Sequence, residues 1–112
     1  MPKGFIIYAI PNGEKRDIGT ARKLKAEGVL AGMPDLHIPE PKKGYSSLYI
    51  EVKTSKGRVS PVQKEMHKTL RSKNNSVMVC RSWKDICYEV AVYYFSDSLE
   101  LDNFLNGLFL VK

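Results

Sequence analysis

Leu48-Tyr49-Ile50-Glu51-Val52-Lys53 decides the fold. Leu48, Ile50 and Val52 alternate with Tyr49, Glu51 and Lys53, a period of two that marks a strand with one face in a core. Side chains on a strand alternate between faces at about 3.3 Å per residue, so Glu51 and Lys53 share a face roughly 6.6 Å apart while the apolar trio anchors the other. Upstream, Gly32-Met33-Pro34-Asp35-Leu36-His37-Ile38 alternates from Pro34 onward and runs into Pro39-Glu40-Pro41-Lys42-Lys43-Gly44, a stretch of turn formers. Together they predict a hairpin-like pair of strands. Antiparallel pairing sets Asp35 beside Glu51 across the ladder, within the roughly 4.5–5.5 Å that separates facing Cβ atoms.

Two carboxylates that close repel unless a cation lies between them. Mg²⁺ is held by one or two carboxylates, with waters and phosphate oxygens in the remaining positions, and Asp35 with Glu51 meets that minimum. Such an ion polarises a phosphoryl oxygen and lowers the pKa of a bound water, while Lys53 can orient that water or offset transition-state charge. Phosphodiester hydrolysis is the reaction this set suits. Taken alone, Glu-x-Lys on a strand more often describes a solvated sheet face, and the residues that follow tilt the balance.

Thr54 to Val59 is a polar loop, after which Ser60-Pro61-Val62-Gln63 opens a helix, with Ser60 as N-cap and Pro61 at the first helical position. Val62, Met66 and Leu70 repeat every four residues as the expected buried stripe, and Gln63, His67 and Arg71 line another. Ser-x-x-Gln is also a capping box, so Gln63 carries two readings, helix cap and catalytic positioning, between which the sequence does not choose. His67, one turn on, reads first as a surface or boundary residue and is a candidate nucleic-acid contact.

Gly32-Met33-Pro34-Asp35-Leu36, Tyr49-Ile50-Glu51-Val52-Lys53, and then Gly57, Ser60, Gln63 and His67, in that order and spacing, resemble the VRR-NUC domain, a branch of the PD-(D/E)XK restriction-endonuclease-like superfamily. The resemblance runs from about Ile10 to about Ser82 and takes in Asn12-Gly13 and the segment Leu24 to Val29. It implies that Asp35 and Glu51 bind a divalent metal, Mg²⁺ or Mn²⁺, joined by the backbone carbonyl of Val52, that Lys53 is catalytic, and that Gln63 belongs to the active-site helix. It also implies a restriction-endonuclease-like α/β core, a mixed sheet flanked by helices. Family members often carry an N-terminal helix whose glutamate reaches the metal. This chain opens at Met1-Pro2-Lys3-Gly4 directly ahead of the apolar run Phe5 to Ile10, and the alternatives are Glu14 or Glu27 as substitute or a thinner metal shell filled with water.

With 112 residues and 43% apolar content, the chain is expected to form a single domain around one core. Lysine and arginine outnumber aspartate and glutamate 18 to 12, and the pI near 9.4 favours a polyanionic partner. Asn12, Lys15, Arg16, Arg22, Lys56 and Arg58 are the expected nucleic-acid contacts, with Lys23, Lys25, Lys42 and Lys43 adding to basic clusters that flank the site in sequence. Such groups track phosphates without reading bases. Two cysteines, Cys80 and Cys87, without partners at ligand spacing, read as buried free thiols and suit a reducing, intracellular compartment. No segment has the roughly 20 apolar residues of a bilayer span.

Strands are expected near 5–10, 34–38, 47–53 and 76–81, with helices over Asp17–Glu27, from Ser60 to Lys73 and from Trp83 to Phe95. In the tail, Asp97-x-x-Glu100 can cap a helix whose Leu101, Phe104, Leu105 and Leu108 share one face. That face is expected to pack on the chain's own sheet or on a second subunit. Stand-alone relatives look like homodimers that cut branched DNA such as four-way junctions, which two-fold symmetry suits. The expectation is a metal-dependent endonuclease on branched DNA; the alternatives are a binding module without turnover and a nuclease directed at single strands or RNA.

Overall fold

The computed structural model describes residues 4–11, 30–95 and 98–109. Strands β1 (Tyr8–Ala9), β2 (Leu36–Ile38), β3 (Leu48–Val52) and β4 (Ser76–Cys80) form a mixed sheet in that spatial order, and helices α1 (Pro61–Ser72), α2 (Trp83–Tyr94) and α3 (Ser98–Phe109) accompany it. β1–β2 and β2–β3 are antiparallel, and β3–β4 is parallel with α1 as the crossover. The helix expected over Asp17–Glu27 lies outside the described residues. β1 is shorter than the apolar run Phe5 to Ile10 suggested: Ile6, Ile7 and Tyr8 are exposed, so hydrophobicity there outruns strand pairing.

The hairpin between β2 and β3 closes as the turn formers predict. Lys43 and Gly44 both take positive φ, 53° and 85°, and Lys42 and Tyr45 exchange N–H···O bonds of 3.2 and 2.8 Å around them. Two consecutive left-handed residues give a tight turn whose twist matches that of the strands.

The two faces of β3 bury different chemistry. Leu48 and Ile50 join Ile38 and Cys80 in a core closed by Val90 and Tyr93 of α2, and each fully buried aliphatic side chain there contributes about 1.5–3 kcal/mol. Val52, expected in that core, is 40% exposed because it ends the strand where the chain leaves the sheet. On the opposite face Glu51 meets α1. The buried stripe of α1 is accordingly Gln63, His67 and Leu70, while Val62 is exposed. That corrects the expected Val62/Met66/Leu70 stripe: a buried carboxylate requires donors, so polar side chains occupy the helix face that apolar periodicity assigned to Val62.

On this same face a chain of hydrogen bonds ties the sheet to α1. Ser47 Oγ donates to Asn75 Oδ1 (2.6 Å) and so accepts from His37 Nε2 (3.0 Å), which leaves His37 Nδ1 to accept from the Tyr8 hydroxyl (2.7 Å). Asn75 Nδ2 then donates to Leu70 O at the end of α1 (3.1 Å). Burial lowers the His37 pKa, in keeping with the neutral ring that this tautomer requires.

Among the described residues α3 packs on α2, with the Phe95 and Phe104 rings 5.3 Å apart and Leu101 and Leu105 half-buried. Asp97 and the Leu108 side chain lie outside the described residues. No described helix is long and apolar enough to cross a membrane.

Candidate active site

Asp35 stands one residue before β2, and the register that pairs Leu36 with Ile50, extended by one step, sets it opposite Glu51. Three bonds hold it there: its N–H donates to Ile50 O (3.0 Å), its carbonyl accepts from the Ile10 N–H (2.7 Å), and its Oδ2 accepts from the Val52 N–H (2.7 Å). The carboxylate is thus folded over the end of β3. The residues before it explain the approach. Gly32 has φ +80°, and a Cβ there would come within 2.7 Å of the Val62 carbonyl oxygen in the first turn of α1. Pro34 is fully buried. Gly-Met-Pro-Asp is therefore a close-packed entry in which only glycine fits the first position.

Glu51 is 1% exposed, Gln63 1% and His67 3%. His67 Nε2 lies 3.0 Å from Glu51 Oε1 and Gln63 Nε2 lies 3.3 Å from Oε2. A carboxylate offers no proton, so His67 carries its hydrogen on Nε2. Burial lowers the His67 pKa, and the positive charges of Arg71 and Lys53 lower it further. The imidazole is therefore neutral at neutral pH. His67, expected as a nucleic-acid contact, is instead enclosed and faces Glu51.

Gln63 caps the helix and also reaches Glu51. The capping box is complete, with Gln63 N–H donating to Ser60 Oγ (3.2 Å) and Ser60 N–H donating to Gln63 Oε1 (2.9 Å). Because the amide oxygen is committed to the cap, the amide nitrogen is left facing Glu51. The helix start therefore fixes the orientation of a donor to the buried acid. Every buried side-chain polar atom among the described residues has a partner, so this polar cluster is satisfied as it stands.

Lys53 is half-buried, and its N–H donates to Cys80 O (2.9 Å), one step beyond the Val52–Cys80 pair that ends the parallel ladder. Its reach toward the cluster is evident in the Coulombic effect on His67. The next turn, Thr54 to Gly57, is held by a residue the sequence reading did not single out. Arg81 Nη1 donates to Thr54 O (2.9 Å) and Gly57 O (2.6 Å). The available signal was its place: Arg81 follows β4 as Lys53 follows β3.

Lys56 and Arg58 are exposed on this loop. Asn12, Lys15, Arg16 and Arg22, with Glu14 and Glu27, lie outside the described residues. Lys42 and Lys43 flank the site in sequence but not in space, since the hairpin turn is at the other end of β2 and β3 from Asp35 and Glu51; Lys42 Nζ sits 4.4 Å over the Tyr94 ring.

A family model for the VRR-NUC domain matches residues 10–84, more than half of the chain and including every element of this cluster. The chain belongs to the VRR-NUC domain family. A solved structure described as a VRR_NUC domain protein is similar to it with a TM-score of 0.67 and 28% identity, over 79% of this chain and 66% of that one. The VRR-NUC chain thus spans 66% of the length of that relative. Comparison with curated proteins gives no match. Membership makes this a nuclease-like module with the mixed α/β sandwich described above.

Proposed function

We propose that this VRR-NUC chain is a divalent-metal-dependent endonuclease that hydrolyses DNA phosphodiester bonds, with branched DNA as its preferred substrate and a homodimer as its working form. The observation that carries the reading is the meeting of Asp35, Glu51 and Lys53 at one end of β2 and β3, with Glu51 held by two donors from α1. Among the described residues no three His, Cys, Asp or Glu side chains are arranged as a set of metal ligands. The donors are two carboxylates and a strand-end carbonyl, an all-oxygen set that fits Mg²⁺ or Mn²⁺ and not a thiolate- or imidazole-preferring ion.

Asp35, Glu51 and the Val52 carbonyl would hold that ion. When bound it polarises a phosphoryl oxygen and lowers the pKa of a water. The chain's own residues do the rest. The Val52 N–H fixes Asp35 Oδ2, which leaves Oδ1 without a hydrogen bond among the described residues. His67 and Gln63 fix both oxygens of Glu51 in one rotamer. Lys53 supplies positive charge where the phosphorane builds negative charge and can orient the attacking water. Lys56 and Arg58 sit on the loop that follows, suited to the phosphate backbone on either side of the cut.

End-labelled four-way junction, flap, nicked duplex and single strand, each incubated with Mg²⁺ beside an Asp35→Ala control, test the proposal. Cleavage of branched DNA that disappears with EDTA and with Asp35→Ala is the expected result. Cleavage that survives either treatment overturns the mechanism, and binding without cleavage favours the non-catalytic module.

A further inference from the structure

Trp83 is the chain's single tryptophan, and 69% of it is exposed. None of the ring contacts among the described residues involves it. It opens α2, with Ser82 as the cap that accepts from the Asp85 N–H, so neither the helix cap nor the core needs an indole at this position. Burial therefore does not explain Trp83.

Its position is specific. β3 and β4 run parallel and end together at Val52 and Cys80, and ligands of parallel strands bind beyond their carboxyl ends. Lys53 and the Thr54–Gly57 loop leave one strand; Arg81, Ser82 and Trp83 leave the other, with Arg81 clamped on that loop. Three residues span at most about 11 Å and neighbouring strands lie about 4.8 Å apart, which puts the Trp83 backbone within about 16 Å of Val52. At about 3.4 Å per step along a strand of duplex, that is within about five nucleotides.

The surroundings are basic. Lys56, Arg58, Arg81 and Lys84 are exposed on the segments that leave these two strands, beside Asp85, whose carboxylate accepts from the Arg81 N–H. A second copy docking here through a two-fold axis would bring each of these cations toward its own image, which disfavours self-association at this face. A polyanion is the complementary occupant. An exposed aromatic ring in a basic setting is the arrangement that holds unpaired nucleobases, since every base offers a π face once it leaves the stack.

We propose that Trp83 is a stacking platform for an unpaired base of the bound DNA. Resting on the nuclease reading above, it assigns to this residue part of the preference for branched over fully paired DNA. Inside a duplex both faces of each base are covered, so only single strands, flaps and branch points present a face to the indole.

With one tryptophan, fluorescence reports on this position alone. Asp35→Asn protein in EDTA is titrated with a single strand, a four-way junction and a covalently closed duplex minicircle, while anisotropy of labelled DNA measures binding independently. Expected are quenching and a shift of emission on the single strand and junction but not on the duplex. Trp83→Ala should weaken binding to unpaired DNA about tenfold, the loss of one base–aromatic stack, with duplex binding unchanged and Trp83→Phe in between. Binding with unchanged emission, or an equal loss on duplex and single strand, overturns the platform and leaves the nuclease reading standing. Emission that depends on protein concentration without DNA also overturns it, since a second copy then covers the indole. Failure to bind any nucleic acid sinks both readings.

Discussion

His67 Nε2 donates across 3.0 Å to Glu51 Oε1 with both side chains almost fully out of water, so the carboxylate proposed to hold the metal is also a structural element of the sheet–helix interface. Removing the imidazole leaves a buried charged acceptor short of a donor. His67→Ala should therefore lower stability by about 1.5–3 kcal/mol, the range for hydrogen bonds to charged groups, measured by urea unfolding followed by circular dichroism. Its apparent affinity for Mn²⁺ should fall about 10–100-fold, as for other partners that orient a ligand, and His67→Gln, which restores a donor, should recover part of both. Unchanged metal affinity alongside the stability loss would limit His67 to packing.

Asp35 gives the opposite balance, since it is only half-buried and one of its oxygens accepts from Val52 N–H. Asp35→Asn keeps an acceptor for that bond and removes the charge. Its stability should stay within about 0.5 kcal/mol of the parent, as for most substitutions away from a buried network. Its cleavage rate should fall by more than the roughly 10–100-fold that loss of an outer-sphere partner produces. Thermal melts beside initial rates on junction DNA check the pair of statements.

Much of this was legible in the sequence for simple reasons. The alternation Leu48 to Lys53, the Lys43-Gly44 turn and the Ser60-Pro61 helix start are local signals, and each element stands close to where its own residues put it. What misled was tertiary. The apolar repeat Val62/Met66/Leu70 looked like a core stripe because periodicity counts hydrophobicity and does not know that β3 presents a carboxylate to that helix. Lys42 and Lys43 looked close to the site because sequence distance ignores which end of a hairpin is which. Arg81 offered only its place after β4, since its targets are backbone carbonyls of a loop 24 and 27 residues away.

Ser60 and Gln63 separate cap from site. Ser60→Ala removes one of the two capping-box bonds, and its backbone N–H still holds Gln63 Oε1, so the donor to Glu51 keeps its orientation. Stability should drop by about 1 kcal/mol, with the Mn²⁺ affinity and cleavage rate essentially unchanged. Gln63→Ala should cost a similar or larger amount of stability and weaken metal binding as well. Equal effects of the two substitutions on metal affinity would mean that the helix start, and not the Gln63 amide, is what the site requires.

Gly32 and Gly44 share a left-handed backbone, at φ +80° and +85°, yet only Gly32 faces an obstacle: nothing lies within 4 Å of a Cβ at Gly44, whereas one at Gly32 meets the Val62 backbone at 2.7 Å. Gly44→Ala should therefore lose only the conformational term, about 1–2 kcal/mol. Gly32→Ala should lose that and more, because backbone cannot move aside as a side chain can, and with it the seating of Asp35. Melting temperatures rank the two, and similar values would show that the entry before Asp35 yields to pressure.

Cys80 ends β4 and is fully buried in the core against α2, and burial, with smaller contributions from Glu89 and Asp85, raises its thiol pKa to about 11; burial raises that of the half-buried Cys87 as well. The thiolate is the reactive form. Native protein at pH 8 should therefore react with a thiol reagent far more slowly than urea-unfolded protein, with Cys87 ahead of Cys80 because it is nearer to solvent. The linkage has a definite sign. The folded state holds the Cys80 proton more tightly than the unfolded chain, whose thiol titrates near 9, so this contribution to stability is complete below pH 9 and is lost as the pH rises from there through about 11. Cys80→Ala should flatten that part of the stability profile while lowering stability at neutral pH through the cavity it leaves in the core. Rapid labelling of Cys80 at pH 8 in folded protein would mean that the β4–α2 contact opens readily.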